Sequence, residues 1–129
     1  MSYKEEIKFY FSAANIIQFG SIHESNLYSD TCLNNVIGLC TFNVLSIIDL
    51  TKGEIVTKYV TYFLGENFND AIYFTYSSVA KTVSTITIPG EYVFKITGGS
   101  NKYLNATGHV HIRITQDGIR HVTVHLTDY

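Results

Sequence analysis

Apolar and polar residues alternate in short runs along most of this chain, and turn residues separate the runs. Alternation of this kind is the period of a half-buried β-strand, whose successive side chains point to opposite faces. The first run, Glu6 to Ser21, is expected to break near Ala13-Ala14, and His23 to Asn35 reads as a polar loop. Strand-like runs then cover Ile37 to Leu50, Glu54 to Leu64, Ala71 to Ser77, Thr82 to Ile88, Tyr92 to Thr97, Gly108 to Thr115 and Ile119 to Thr127, which makes eight. Thr51-Lys52-Gly53, Gly65-Glu66-Asn67, Pro89-Gly90 and Asp117-Gly118 supply turns between them. No segment keeps a 3.6-residue apolar period over ten or more residues. Evenly spaced short strands predict an all-β sandwich or barrel, here as a single domain over residues 1–129.

The last hairpin is legible residue by residue. Gln116-Asp117-Gly118 fits a three-residue loop closed by Gly118 in the left-handed conformation. Thr115 then faces Ile119, and counting outward pairs Arg113 with His121, His111 with Thr123 and His109 with His125. The opposite face carries Val110, Ile112, Ile114, Val122, Val124 and Leu126, with Arg120 at the turn end. A slip of one residue would mix the two faces, so the alternation itself supports this register. Which face points inward is left open by the pattern.

Composition narrows the function classes. At 129 residues, 46% of them hydrophobic and 16% charged, the chain is long and apolar enough to bury a core. Ten tyrosines and eight phenylalanines suit pleated, half-buried surfaces. A net charge of −2 with no Lys/Arg cluster argues against a nucleic-acid partner. No apolar run reaches membrane-spanning length, so no membrane partner is expected. The charged start, Met1-Ser2-Tyr3-Lys4-Glu5-Glu6, lacks the apolar core of a signal peptide, and a cytoplasmic location is expected. Cys32 and Cys40 read as free thiols in that compartment, and the sequon Asn105-Ala106-Thr107 as a chance match.

Candidate chemistry is sparse. Four of the five histidines, His109, His111, His121 and His125, lie on the last hairpin. Facing imidazoles suit zinc or copper, but no Cys or carboxylate stands at a ligand spacing, and no metal site is assigned. The plainer reading is a solvated or subunit-facing polar side; the other is a lumen role, with His109 or His125 orienting a ligand. Cys40, inside the apolar run Ile37-Gly38-Leu39-Cys40, reads as a buried thiol with no adjacent base. Carboxylates sit at strand ends and in loops, which gives paired acid–base catalysis little to stand on. No phosphate loop or Gly-x-Ser-x-Gly elbow is present.

Ile96-Thr97-Gly98-Gly99-Ser100, then Tyr103-Leu104 and Ala106-Thr107-Gly108, form a distinctive run. Adjacent glycines at a strand exit predict a bulge or positive-φ turn where no Cβ is tolerated. The run resembles the G-G-[ST]-x-x-[FY]-x-x-A-x-G signature of allene oxide cyclase and dirigent proteins. Phe19-Gly20, Asn26-Leu27-Tyr28, Ile37-Gly38-Leu39-Cys40 and Tyr62-Phe63-Leu64-Gly65 resemble further segments of the cyclases in the same order, over roughly residues 17–115. The resemblance implies an eight-stranded antiparallel up-and-down barrel, often homotrimeric, that holds an apolar substrate without a cofactor. It places Asn26 and Cys40 at lumen positions. The cyclases carry Glu-x-Asn on the first strand, and Ile7 to Asn15 holds no acid here, so an epoxide-cyclising anion is missing.

Two functional expectations follow. One is a barrel holding an apolar small molecule, as a binding protein or cofactor-free isomerase or cyclase, with Asn26, Cys40, His109 and His125 as ligand-binding residues and no catalytic residue assigned. The other is a non-catalytic, homotrimeric structural or interaction module, binding carbohydrate or protein. Neither calls for a cofactor.

Overall fold

The computed structural model describes residues 3–20, 22–49, 54–80 and 89–129. Among them are ten strands and no α-helix. They are β1 (Glu5–Ser12), β2 (Ile17–Phe19), β3 (Ile22–Tyr28), β4 (Val36–Asp49), β5 (Glu54–Leu64), β6 (Asp70–Ala80), β7 (Gly90–Lys95), β8 (Gly98–Ser100), β9 (Thr107–Ile114) and β10 (Ile119–Asp128). All pairings are antiparallel, in the order β7-β9-β10-β1-β3-β4-β5-β6-β8, with β2 attached to β3.

The two ends of that path, β7 and β8, are consecutive pieces of one segment. At the junction, the Ile96 amide donates to the Gly108 carbonyl at 3.0 Å, and the Thr97 amide donates to the Tyr73 carbonyl at 3.0 Å. The chain thus passes from β9 to β6 within two residues, and the sheet curls into a barrel-like form. It is not closed: among the described residues β6 and β7 share no ladder.

The expected eight strands are corrected to ten. The run from Glu6 is broken as anticipated. Ser12 accepts the Ala14 amide at 3.2 Å, a 3-10 turn covers Ala13–Asn15, and β2 folds back onto β3. The expected polar loop His23 to Asn35 begins as a strand, because β3 occupies its first six residues. Its inward side chains include Ser25, which is why an apolar alternation was absent from the sequence. Gly98 and Gly99 form β8 instead of a turn, and neither has positive φ. Close approach explains them: a Cβ on Gly99 would strike the Tyr103 carbonyl, and one on Gly98 would lie 2.7 Å from the Tyr73 ring. The expected strand Thr82 to Ile88 and the turn Thr51-Lys52-Gly53 lie outside the described residues.

The last hairpin has the anticipated register, with His121 opposite Arg113, Thr123 opposite His111 and His125 opposite His109. Gly118 has φ +84°, its amide donates to the Thr115 carbonyl at 3.0 Å, and the Thr115 amide donates to the Ile119 carbonyl. Val110, Val122, Val124 and Leu126 are buried, so the apolar face points into the sheet's concave side. There they join Phe9 and Phe11 of β1, Leu27 of β3, Cys40 and Phe42 of β4, Val60 and Tyr62 of β5 and Phe74 of β6 in one core. No described helix is long and apolar enough to cross a membrane.

Candidate functional site

Inward positions recur at every second residue, so each strand contributes a row to the interior. At the end where β1 finishes and β10 begins, those rows are aromatic. Phe11, Phe42, Tyr62, Phe74, Tyr76 and Phe94 line a cavity of about 30 Å³, together with Tyr92, Val60, Ile112, Ile114 and Arg120. Phe74 and Phe94 stack at 5.4 Å with planes 14° apart, and Tyr76 lies 4.9 Å from Phe94. These ring contacts join β6 to β7, where the ladder is missing. The volume is room for about two waters, so the rings fill most of the interior.

The polar groups in this apolar setting are basic. Arg120 is 3% exposed, continuing the inward row of Val122, Val124 and Leu126. Its Nη1 donates to the Gly118 carbonyl at 2.6 Å, and its guanidinium lies 6.0 Å from the Phe11 ring. Burial pulls its pKa down, while nearby Tyr76 and Tyr92 push it back up. Lys58 is 1% exposed, in the inward row with Val60, Tyr62 and Leu64. Its register partner on β6 is Tyr76. The Lys58 Nζ has no hydrogen-bond partner among the described residues, and neither does the Tyr62 hydroxyl. An ammonium removed from water without a counter-charge is destabilised, and burial lowers the Lys58 pKa to about 8. His23 is also lowered, by burial and then by the Lys58 charge. Burial holds the Tyr62 hydroxyl well above its ordinary range.

The residues singled out from the sequence are not brought together. Cys40 is fully buried, and the same burial raises its thiol pKa, which makes it a poor nucleophile. Its partner across the ladder is Ser25, also buried. Asn26 is exposed on the outer side, paired with Leu39; Ser25 takes the interior place beside Cys40. His109 and His125 are on the outer face too, with rings 4.7 Å apart and Tyr3 packed on both. His125 Nδ1 lies 3.2 Å from Glu6, and His111 lies 3.4 Å from Glu91. Burial, followed by His125 and His111, lowers the His109 pKa. Among the described residues, no three His, Cys, Asp or Glu side chains are placed to hold a metal ion.

Sequence reasoning passed over Lys58 and noted Arg120 only as a turn-end residue. One signal could have found both: each is a basic residue at an apolar position of a period-2 row. A wider groove of about 350 Å³ lies outside the barrel, along Tyr73, Gly98, Gly99, Leu104 and Asn105. It brings no charged side chain together with an aromatic cluster, and the interior site is chemically the more pointed.

No known family profile matches the chain, and no curated protein does. Among solved structures, a pyocyanin demethylase aligns over 98% of this chain and 94% of its own, at 15% identity and a TM-score of 0.56. A pterocarpan synthase dirigent protein aligns over 98% and 84%, at 14% identity and a TM-score of 0.48, too loose a superposition to carry an argument. Identities this low speak for fold alone, and the first likeness supports a barrel-like all-β sheet.

Proposed function

We propose that this protein binds a small apolar molecule bearing an acidic or carbonyl oxygen at the aromatic end of the barrel. The observation that carries the reading is Arg120, a buried guanidinium in the wall of a cavity otherwise made of rings and aliphatic side chains. Such a pocket sorts ligands by apolar fit, and one fixed donor sets their orientation. The small volume implies that a ligand is seated by outward rotation of the half-buried Tyr76, Tyr92 and Phe94. A single ring with one acidic group matches that opening better than a long chain. If chemistry occurs, it is a cofactor-free isomerisation or cyclisation, driven by water exclusion and by Arg120 facing developing negative charge.

The test is native mass spectrometry of the purified protein, with benzoate titrated into labelled protein by NMR. Benzoate should shift Arg120, Tyr76 and Phe94 resonances, and Arg120→Met should weaken it tenfold or more. Shifts scattered over the outer face, with no co-purifying small molecule, would sink the reading.

A second reading, a non-catalytic homotrimeric module, has one observation in its favour. Ile17, Phe19 and Ile22 form an exposed apolar strip on the β2–β3 arm, at 56%, 59% and 41% exposure. A trimer in the same spectra that dissociates on Phe19→Asp, with no bound molecule, would favour this reading.

A further inference from the structure

We infer that Lys58 is a carbonyl-capturing amine, forming a reversible imine with an aldehyde or ketone that enters at the aromatic end of the barrel. Three placements carry this. Lys58 is buried in the inward row of β5, and its Nζ is left without a partner among the described residues. Its neighbours on two sides, Val60 along the strand and Tyr76 across the ladder, both line the cavity. The amine therefore stands next to residues of the cavity wall, although Lys58 itself is not part of that lining. A buried polar group with no protein partner costs stability, and a ligand at this position removes that cost.

The chemistry follows from the setting. An exposed lysine is almost wholly protonated near neutral pH and has no lone pair to offer. With its pKa lowered to about 8, Lys58 keeps a neutral fraction of roughly a quarter at pH 7.5. Desolvated lysines are activated for Schiff-base chemistry in this way. The nitrogen lone pair adds to the carbonyl carbon, and the carbonyl π pair goes to oxygen, which takes up a proton. The carbinolamine then loses water to leave a C=N bond, with no change of oxidation state. Apolar walls disfavour the return of that water. Arg120 is not an alternative nucleophile, because a guanidinium stays protonated.

The inference rests on the mouth admitting small molecules, as in the reading above, but its test is separate. The full-length protein is incubated at pH 7.5 with benzaldehyde and sodium cyanoborohydride, which reduces only the imine formed, and the adducts are located by peptide mapping. The chain has seven lysines: Lys4, Lys8, Lys52, Lys58, Lys81, Lys95 and Lys102. Lys58 should be labelled at least tenfold faster than any other. That preference should vanish in urea, and Lys58→Met should lose the fast adduct. Labelling spread over the other lysines, with Lys58 slow or untouched, overturns the inference. Benzoate binding with no Lys58 adduct would remove this inference alone. A Lys58 adduct without benzoate binding would keep it and remove the benzoate-type ligand.

Discussion

The two ends of the barrel treat their polar groups in opposite ways. At the end where β1 begins, the Tyr129 hydroxyl donates to Glu5 at 2.7 Å. Lys4 donates to the Tyr129 carbonyl at 3.0 Å and lies 4.1 Å over the Tyr129 ring. Tyr103 packs against Tyr129 edge to face, and burial together with Glu5 pushes its pKa up to about 12. Acids, bases and hydroxyls are matched there, and Tyr129 packs against the core as a plug. At the other end, Lys58 is buried with no partner for its Nζ among the described residues, and Arg120 sits in an aromatic wall. One end closes the fold with matched groups; the other leaves the Lys58 amine unmatched among the described residues.

The comparison assumes that both ends cap one shared interior, and Val124→Asp tests this most severely. Val124 is fully buried midway along β10. A carboxylate there should cost at least about 4 kcal/mol or abolish folding, whereas Thr123→Asp on the outer face should cost under about 1 kcal/mol. Equal, mild losses in chemical denaturation would break the picture.

The next largest effect should be a gain. Lys58→Met keeps the length of the side chain and removes the orphan amine, so it should stabilise by about 1–3 kcal/mol at pH 7. Lys58 titrates near 10.5 when unfolded and near 8 when folded. Between those values the unfolded chain holds the extra proton, so the lysine's penalty fades as pH rises and is complete below 8. The advantage of Lys58→Met over wild type should therefore shrink across that interval, and a gap constant from pH 7 to pH 11 would contradict an uncompensated amine. Using the difference between the two proteins cancels the opposing titration of Cys40 and the tyrosines.

The smallest effect belongs to the matched end. Tyr129→Phe removes one hydrogen bond to a partly exposed carboxylate and should lower the denaturation midpoint only slightly, far less than Val124→Asp, with no change in Lys58 labelling. A loss as large as that of Val124→Asp would mean that the plug organises the whole interior.

Legibility in the sequence followed the range of the interactions. The β9–β10 hairpin was readable to the residue because its turn is local and its two rows alternate cleanly. The glycine pair was recognised as intolerant of a Cβ, but the reason is the approach of Tyr103, Ala71 and Tyr73 rather than a turn. β3 was missed because its inward face includes His23 and Ser25, and a period-2 search rewards apolar residues only. Asn26 shows the same difficulty from the other side: the order of letters suggested a lumen position, and one step of alternation separates it from Ser25.

By itself, then, the sequence determined the all-β class, the final hairpin with its register, and a two-faced pattern around four histidines. These depend on side-chain period and turn chemistry, which act between near neighbours. Only the tertiary structure decided that the valine face points inward and the histidines outward, and that the sheet curls without closing between β6 and β7. It also decided that Lys58 is buried with no hydrogen-bond partner for its amine among the described residues. A lysine's charge is written in its identity, but whether that charge is solvated, paired or stranded depends on what distant strands place around it.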